Sequence, residues 1–201
     1  MDTLGEATKS RSAAAAPAFT PARTIVLIGL MGAGKSKIGR RLAARLDLPF
    51  HDSDQEIEAA AGASIEEIFR RHGEAAFRDG ERRVIARLLR QPVHVLATGG
   101  GAYMDPQTRE VIARCGVSVW LRADLDVLLA RVSRRTNRPL LQEKDPRAVL
   151  AELIERRHPV YAGADLTIDS GDGPPDATVA RVIAALGATE RALLPAEVEN
   201  D

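Results

Sequence analysis

Five short apolar or β-branched runs punctuate the chain: Thr24–Ile28, Leu48–His51, Val93–Ala97, Val117–Leu121 and Leu166–Ile168. Their hydrophobicity is continuous, not alternating, which suits strands buried on both faces of a parallel sheet. Between them apolar residues recur at helical spacing. Lys35–Leu46 reads as a helix that leaves a glycine loop, and Ser64 with Glu67 makes a capping box at the head of another. Glu74–Leu89 carries Phe77, Val84, Ile85, Leu88 and Leu89 near helical spacing, and further helices are predicted over Asp124–Arg134, Arg147–Arg157 and Asp176–Leu186. Strands alternating with helices predict a three-layer α/β/α fold around a five-stranded parallel sheet. Ligands of such folds bind beyond the carboxyl ends of the strands. The residues that follow each apolar run are therefore the places to seek chemistry.

After the first run comes Gly29-Leu30-Met31-Gly32-Ala33-Gly34-Lys35-Ser36, which fits G-x-x-x-x-G-K-[ST] between a predicted strand and a predicted helix. Glycines let the backbone wrap a phosphate, loop N–H groups converge on its oxygens, and the helix N-terminus favours an anion. Lys35 supplies positive charge to the β- and γ-phosphates, and the Ser36 hydroxyl is suited to Mg²⁺. A nucleoside triphosphate with magnesium follows from this loop; the phosphate acceptor does not.

The second run ends in Asp52-Ser53-Asp54. Residues i and i+2 of a strand share a side, so Asp52 can hold the metal while Asp54 takes a proton from an acceptor hydroxyl. Two aspartates after a strand also suit a turn or a helix cap. Arg78 sits in Phe77-Arg78-Asp79-Gly80-Glu81, where a solvated helix residue is the plain alternative. Gly99-Gly100-Gly101 follows the third run, and glycines in series suit a close backbone approach to a ligand more than a simple turn. The clustered arginines of Arg134–Leu141, ahead of Pro139, suit a lid over phosphates or a solvated helix end favoured by the helix dipole. Arg157 and Tyr161 close the fifth helix and say little alone.

Composition narrows the field. A chain of 201 residues fits one domain, and 28 basic against 28 acidic residues give no electrostatic reason to expect nucleic acid or a membrane surface. No stretch reaches the roughly 18 apolar residues that span a bilayer. The single cysteine, Cys115, excludes an internal disulfide and reads as a small buried hydrophobe. Residues 1–22 are rich in Ala, Ser, Thr and Pro without periodicity and read as a disordered tail, with a single domain over 23–190 and a C-terminal tail over 191–201. A cytoplasmic monomer acting on small molecules is the expectation.

Taken in order, the Gly29–Ser36 loop, Asp52-Ser53-Asp54, Phe77-Arg78 with Glu81, Gly99–Gly101, Arg138-Pro139-Leu140-Leu141, and Arg157 four residues before Tyr161 resemble the shikimate kinase family. The resemblance implies a P-loop fold of the nucleoside-monophosphate-kinase type, with a substrate-binding segment near 53–90 and a lid near 131–145. It implies transfer of the ATP γ-phosphate to the 3-hydroxyl of shikimate, with Mg²⁺, in aromatic amino acid biosynthesis. Lys35, Asp54 and Arg138 would be catalytic. Gly32, Ala33, Gly34, Lys35, Ser36, Lys37, Arg135 and Arg138 would bind ATP, with Arg135 packing on adenine. Asp54, Arg78, Gly99, Gly100, Gly101 and Arg157 would bind shikimate, and Ser36 and Asp52 would hold the metal. Some family members carry an arginine near adenine just before the last helix, whereas Asp169–Pro175 has none here. A gluconate-kinase-like enzyme and a non-catalytic nucleotide-binding regulatory module are the alternatives.

Overall fold

The computed structural model describes residues 20–133 and 145–189. The expected tails, apart from residues 20–22, and the Arg134–Leu141 run lie outside the described residues. Within them the chain runs β1 (Thr24–Ile28), α1 (Lys35–Leu46), β2 (Phe50–Asp52), α2 (Ser53–Ala61), α3 (Ile65–Leu88) and β3 (Val95–Ala97). A 3-10 turn at Ala102–Met104 leads to α4 (Pro106–Cys115), β4 (Gly116–Arg122), α5 (Leu125–Ser133), α6 (Pro146–Tyr161), β5 (Leu166–Asp169) and α7 (Pro175–Gly187).

The five strands form one sheet in the order β2-β3-β1-β4-β5, every pair parallel. β1 is central, with Ile25 paired to Val95 on one side and Val117 on the other. Ile25, Val26, Leu27 and Ile28 are all fully buried, which explains why this run shows no polar alternation. Helices cover both faces: α1 packs with α7, α4 with β4 and α3, and α5 with α6. Ile38, Leu42 and Leu46 of α1 and Val179, Val182 and Leu186 of α7 join the buried core. The spacing of each triplet matches the helical period.

The structure departs from the sequence reading in several places. Asp52-Ser53-Asp54 is not extended: β2 stops at Asp52, whose side chain caps α2 by accepting from the Asp54 N–H at 3.2 Å. The Asx cap competes with the strand and ends it. Helix α4 was also unexpected, although Asp105-Pro106 is an N-cap followed by proline at the first helical position. Asp105 Oδ2 accepts from the Thr108 N–H and hydroxyl, both at 2.8 Å. The capping box and the Glu74–Leu89 pattern prove to be one element, α3, bent at Gly73 (φ 78°, ψ 173°). Helix α6 continues past Arg157 through Pro159 to Tyr161. Cys115 is half-buried against the core at the last residue of α4.

His94, just before β3, is completely buried. Its Nδ1 donates to the Pro92 carbonyl at 2.8 Å and lies 3.3 Å from Thr24 Oγ1, while Nε2 has no hydrogen-bond partner. Burial holds its pKa below the ordinary 6.5, against the Pro92 carbonyl, which favours the charged ring, and with the nearby His51, which disfavours it. Below about pH 6.5 the unfolded chain takes up a proton that the folded chain refuses, so stability is lost as pH falls through this window. His94→Asn, whose amide can replace the Nδ1 donor, is expected to flatten that loss. Urea denaturation of both proteins across pH 5–8 checks it.

Candidate active site

Gly29 ends β1 with φ 139°, and a Cβ there would lie 2.7 Å from the Leu121 carbonyl. Only glycine lets the chain leave the central strand so close to β4. The loop then turns into α1, so its N–H groups and the helix N-terminus face the same cavity, about 610 Å³. Lys35, Ser36, Asp52, Asp54, Gly100 and Arg131 line it, and Lys37 does so as well. Lys35 Nζ donates to the Gly29 and Leu30 carbonyls at 2.8 and 3.1 Å. Ser36 Oγ donates to Asp52 Oδ2 at 2.6 Å. These two oxygens are hard donors side by side, the type that suits Mg²⁺.

Asp54 stands in the first turn of α2, beyond the Asp52 cap. Across the cavity wall lies the Gly99–Gly101 run, and each glycine opens onto a different functional side chain. A Cβ on Gly99 would sit 2.5 Å from Glu81 Oε1 and 2.7 Å from Asp54 Oδ1; on Gly101 it would sit 2.6 Å from Arg78 Nη1. The Gly100 carbonyl accepts from Arg157 Nη1 at 2.8 Å and from the Tyr161 hydroxyl. Ser53, fully buried, accepts from the Gly99 N–H at 2.9 Å and fixes the run to α2.

Arg78 Nη1 donates to Glu81 Oε2 at 2.7 Å, and Nη2 donates to Glu74 at 3.2 Å. Burial of the guanidinium works against its charge, but the two carboxylates prevail and hold its pKa above the usual value. Glu81 is 2% exposed, and its Oε1 has no hydrogen-bond partner. Burial pushes its pKa up, with Arg78 and Arg157 pulling it down and Asp54 adding to the rise. Two cations, Arg78 and Arg157, thus stand near two carboxylates, Asp54 and Glu81, beside the cavity. A ligand with an anionic end and hydroxyl groups matches that division.

The shikimate kinase family profile matches residues 31–187. The chain belongs to the shikimate kinase family. A shikimate kinase of Paramagnetospirillum magneticum is 62% identical over 164 residues, covering 82% of this chain and 84% of the relative. One of Caulobacter vibrioides is 59% identical over 165 residues, 82% of each. Among solved structures, the shikimate kinase from Acinetobacter baumannii in complex with shikimate is 38% identical, with a TM-score of 0.80 over 84% of this chain and 94% of that one. A gluconokinase from Sinorhizobium meliloti, 19% identical, reaches a TM-score of 0.57 over 85% of this chain and 94% of that one, a likeness of fold alone.

Of the residues read from the sequence, Lys35, Ser36, Asp52, Asp54 and Gly100 share the main cavity. Gly99, Gly101, Arg78 and Arg157 adjoin it through the contacts above. Arg135 and Arg138 lie outside the described residues. Sequence reasoning held Arg131 only as the first residue of the basic run and of the lid span near 131–145, with no role of its own. It donates from Nη1 to the Gly32 carbonyl at 3.3 Å and to Ser170 Oγ at 3.2 Å, and from Nη2 to the Gly171 carbonyl. Ser170, buried, donates to the Ala33 carbonyl at 2.8 Å. Together they tie the phosphate loop to the β5–α7 loop. Arg131 was hidden as the start of a basic run, and nothing local marks Ser170.

The glycine geometry carries a direct consequence. Gly99→Ala must displace two carboxylates, one of them buried, and is expected to destabilise the fold by about 1–3 kcal/mol. Gly100→Ala would place its Cβ 3.5 Å from Arg157 Nη1, an ordinary contact, and should cost clearly less. Denaturant unfolding of the two variants side by side decides this. Equal losses would mean that the carboxylates do not constrain the run.

Proposed function

We propose that this chain transfers the γ-phosphoryl group of ATP to the 3-hydroxyl of shikimate, giving ADP and 3-phosphoshikimate. The observation that carries the reading is the convergence of Asp54, Arg78, Arg157 and the Gly99–Gly101 backbone beside the phosphate loop. Family membership and the relatives' names support it. Residues 53–90 then serve as the acceptor-binding segment. Arg78 and Arg157 grip the shikimate carboxylate, with Arg78 braced by Glu81, and the glycine run meets the ring hydroxyls with backbone groups. The gluconokinase likeness, at 19% identity, supports only the fold.

In the reaction the acceptor oxygen forms a bond to the γ-phosphorus as the bond from that phosphorus to the bridging oxygen of ADP breaks. The hydroxyl proton passes to Asp54. A loose transition state leaves the protein mainly positioning and charge stabilisation. Lys35 neutralises charge on the β- and γ-phosphates, and loop N–H groups from Gly32 to Ser36 cradle them. Ser36 and Asp52 fit Mg²⁺, which when bound would screen the phosphate oxygens. On the family pattern Arg138 reaches the phosphates from the lid near 131–145.

ADP release from ATP, Mg²⁺ and shikimate, measured against the same mixture without shikimate, tests the reading. Asp54→Asn is expected to lower kcat about a hundred- to a thousandfold, the worth of one contact made in the transition state. Arg78→Ala should act mainly through KM for shikimate, raising it about ten- to a hundredfold. No shikimate-dependent turnover from protein that still binds ATP would sink the assignment, and gluconate would be the next acceptor tried.

Arg131→Met should raise KM for ATP about tenfold, the value of one charge-assisted hydrogen bond, and leave KM for shikimate unchanged. A parallel rise in both constants would mean that Arg131 merely supports the fold.

A further inference from the structure

A second cavity, about 370 Å³, lies between α2 and α3 and shares no lining residue with the phosphate-loop cavity. Ile57, Ala60, Ile68, Phe77, Gly80 and Val84 form most of its surface, and Arg83 and Arg87 supply its only charged side chains. A groove of this size falls in the range of small-molecule sites. Gly80 is its least expected member. Glycine inside a helix costs stability relative to alanine, and a Cβ at Gly80 would meet nothing within 4 Å. No close packing therefore requires glycine there, and what its missing side chain leaves is open groove.

We infer that this groove is a binding site for a small carboxylate with an apolar aromatic or branched body. The apolar walls suit the body, and the two guanidiniums at the rim suit the anion. Arg83 is ion-paired with Asp79 at 3.1 Å through exposed groups, and exposed Arg87 with the partly buried Glu56 at 3.0 Å. Such pairs are weak and exchange readily. Each uses one nitrogen, which leaves further N–H donors of the five on a guanidinium for a ligand carboxylate.

The two walls belong to the two helices that carry acceptor-site residues. Ile57 follows Asp54 by one turn of α2, and Phe77 directly precedes Arg78 on α3. The Arg78 guanidinium carbon lies 5.1 Å from the centre of the Phe77 ring. An occupant pressing on Phe77 shifts the platform under Arg78, so the site couples to acceptor affinity. This coupling rests on the acceptor-site reading given above; the binding itself does not.

Phenylpropionate is the probe, titrated by calorimetry into the full-length chain beside phenylpropanamide and phenylpropylamine. The acid is expected to bind, and the amide and amine about tenfold more weakly or not at all, as loss of one charge-assisted hydrogen bond dictates. Gly80→Leu, which favours the helix and fills the groove, should abolish binding without lowering the melting temperature. Arg87→Gln should weaken it about tenfold. Absence of binding at millimolar probe, equal binding of acid and amide, or binding that survives Gly80→Leu but is lost in Arg78→Ala would each overturn the assignment. So would concentration-dependent dimerisation abolished by Gly80→Leu, which would give the groove to a second copy of the chain. With probe bound, KM for shikimate should change more than KM for ATP, and equal constants with and without probe would overturn the coupling.

Discussion

The Asp52 carboxylate joins the two halves of the site. One oxygen accepts from Ser36 at the head of the phosphate-loop helix, and the other accepts from the Asp54 N–H at the head of α2. A single side chain at the end of an edge strand thereby links the head of the phosphate-loop helix to the head of α2, where Asp54 stands. The phosphate loop is anchored by β1, buried at the centre of the sheet, whereas α2 begins from a three-residue strand at the edge. Edge elements hold fewer neighbours, so the cap and the Ser36 contact carry the register between them.

A second constraint is the burial of charge around Gly99. Taking a carboxylate such as Glu81 out of water is costly, and its partner Arg78 offsets only part of that cost. Hydrophobic packing would fill the same space more cheaply. The pair is thus better understood as a device for orientation: Arg78 is fixed by Glu81 on one side and by Glu74 on the other, leaving its remaining donors aimed past Gly101. The glycine run is what keeps the arrangement open. A side chain at position 99 or 101 would enter the ion-pair network itself, so glycine is needed at both.

How much of this was legible follows from where each feature stores its information. The central strand, the phosphate loop and α1 are local patterns, and all three were read with correct bounds. Helix α2 was missed because Asp52-Ser53-Asp54 fits both a strand end and an Asx cap, and the decision rests on Ser36, sixteen residues away. The Ser64 capping box and the Glu74–Leu89 pattern stood apart in the sequence because the positive φ of Gly73 splits the apolar pattern of α3 in two. Helix α4 was overlooked although Asp105-Pro106 announced it. Asp54, Arg78, Arg157 and the glycine run were grouped as a set only through family resemblance; single positions such as Arg78 and Arg157 carried no local signal. Glu81 Oε1, facing Asp54 over Gly99, exists only in three dimensions.

The nucleotide end shows how an absent residue in one loop can be offset from another element. Asp169–Pro175 has no arginine, and its backbone carbonyls would have no cation to order them if the loop stood alone. Arg131 reaches it from α5 and donates to the Gly171 carbonyl while holding the Gly32 carbonyl of the phosphate loop. Buried Ser170 adds a direct link to Ala33. The two loops are then held as a unit mainly by hydrogen bonds to backbone carbonyls. Sequence variation in Gly171–Pro175 is tolerable on this account as long as Arg131 and Ser170 remain. Much of the constraint on the loop thus lies in the helix that braces it.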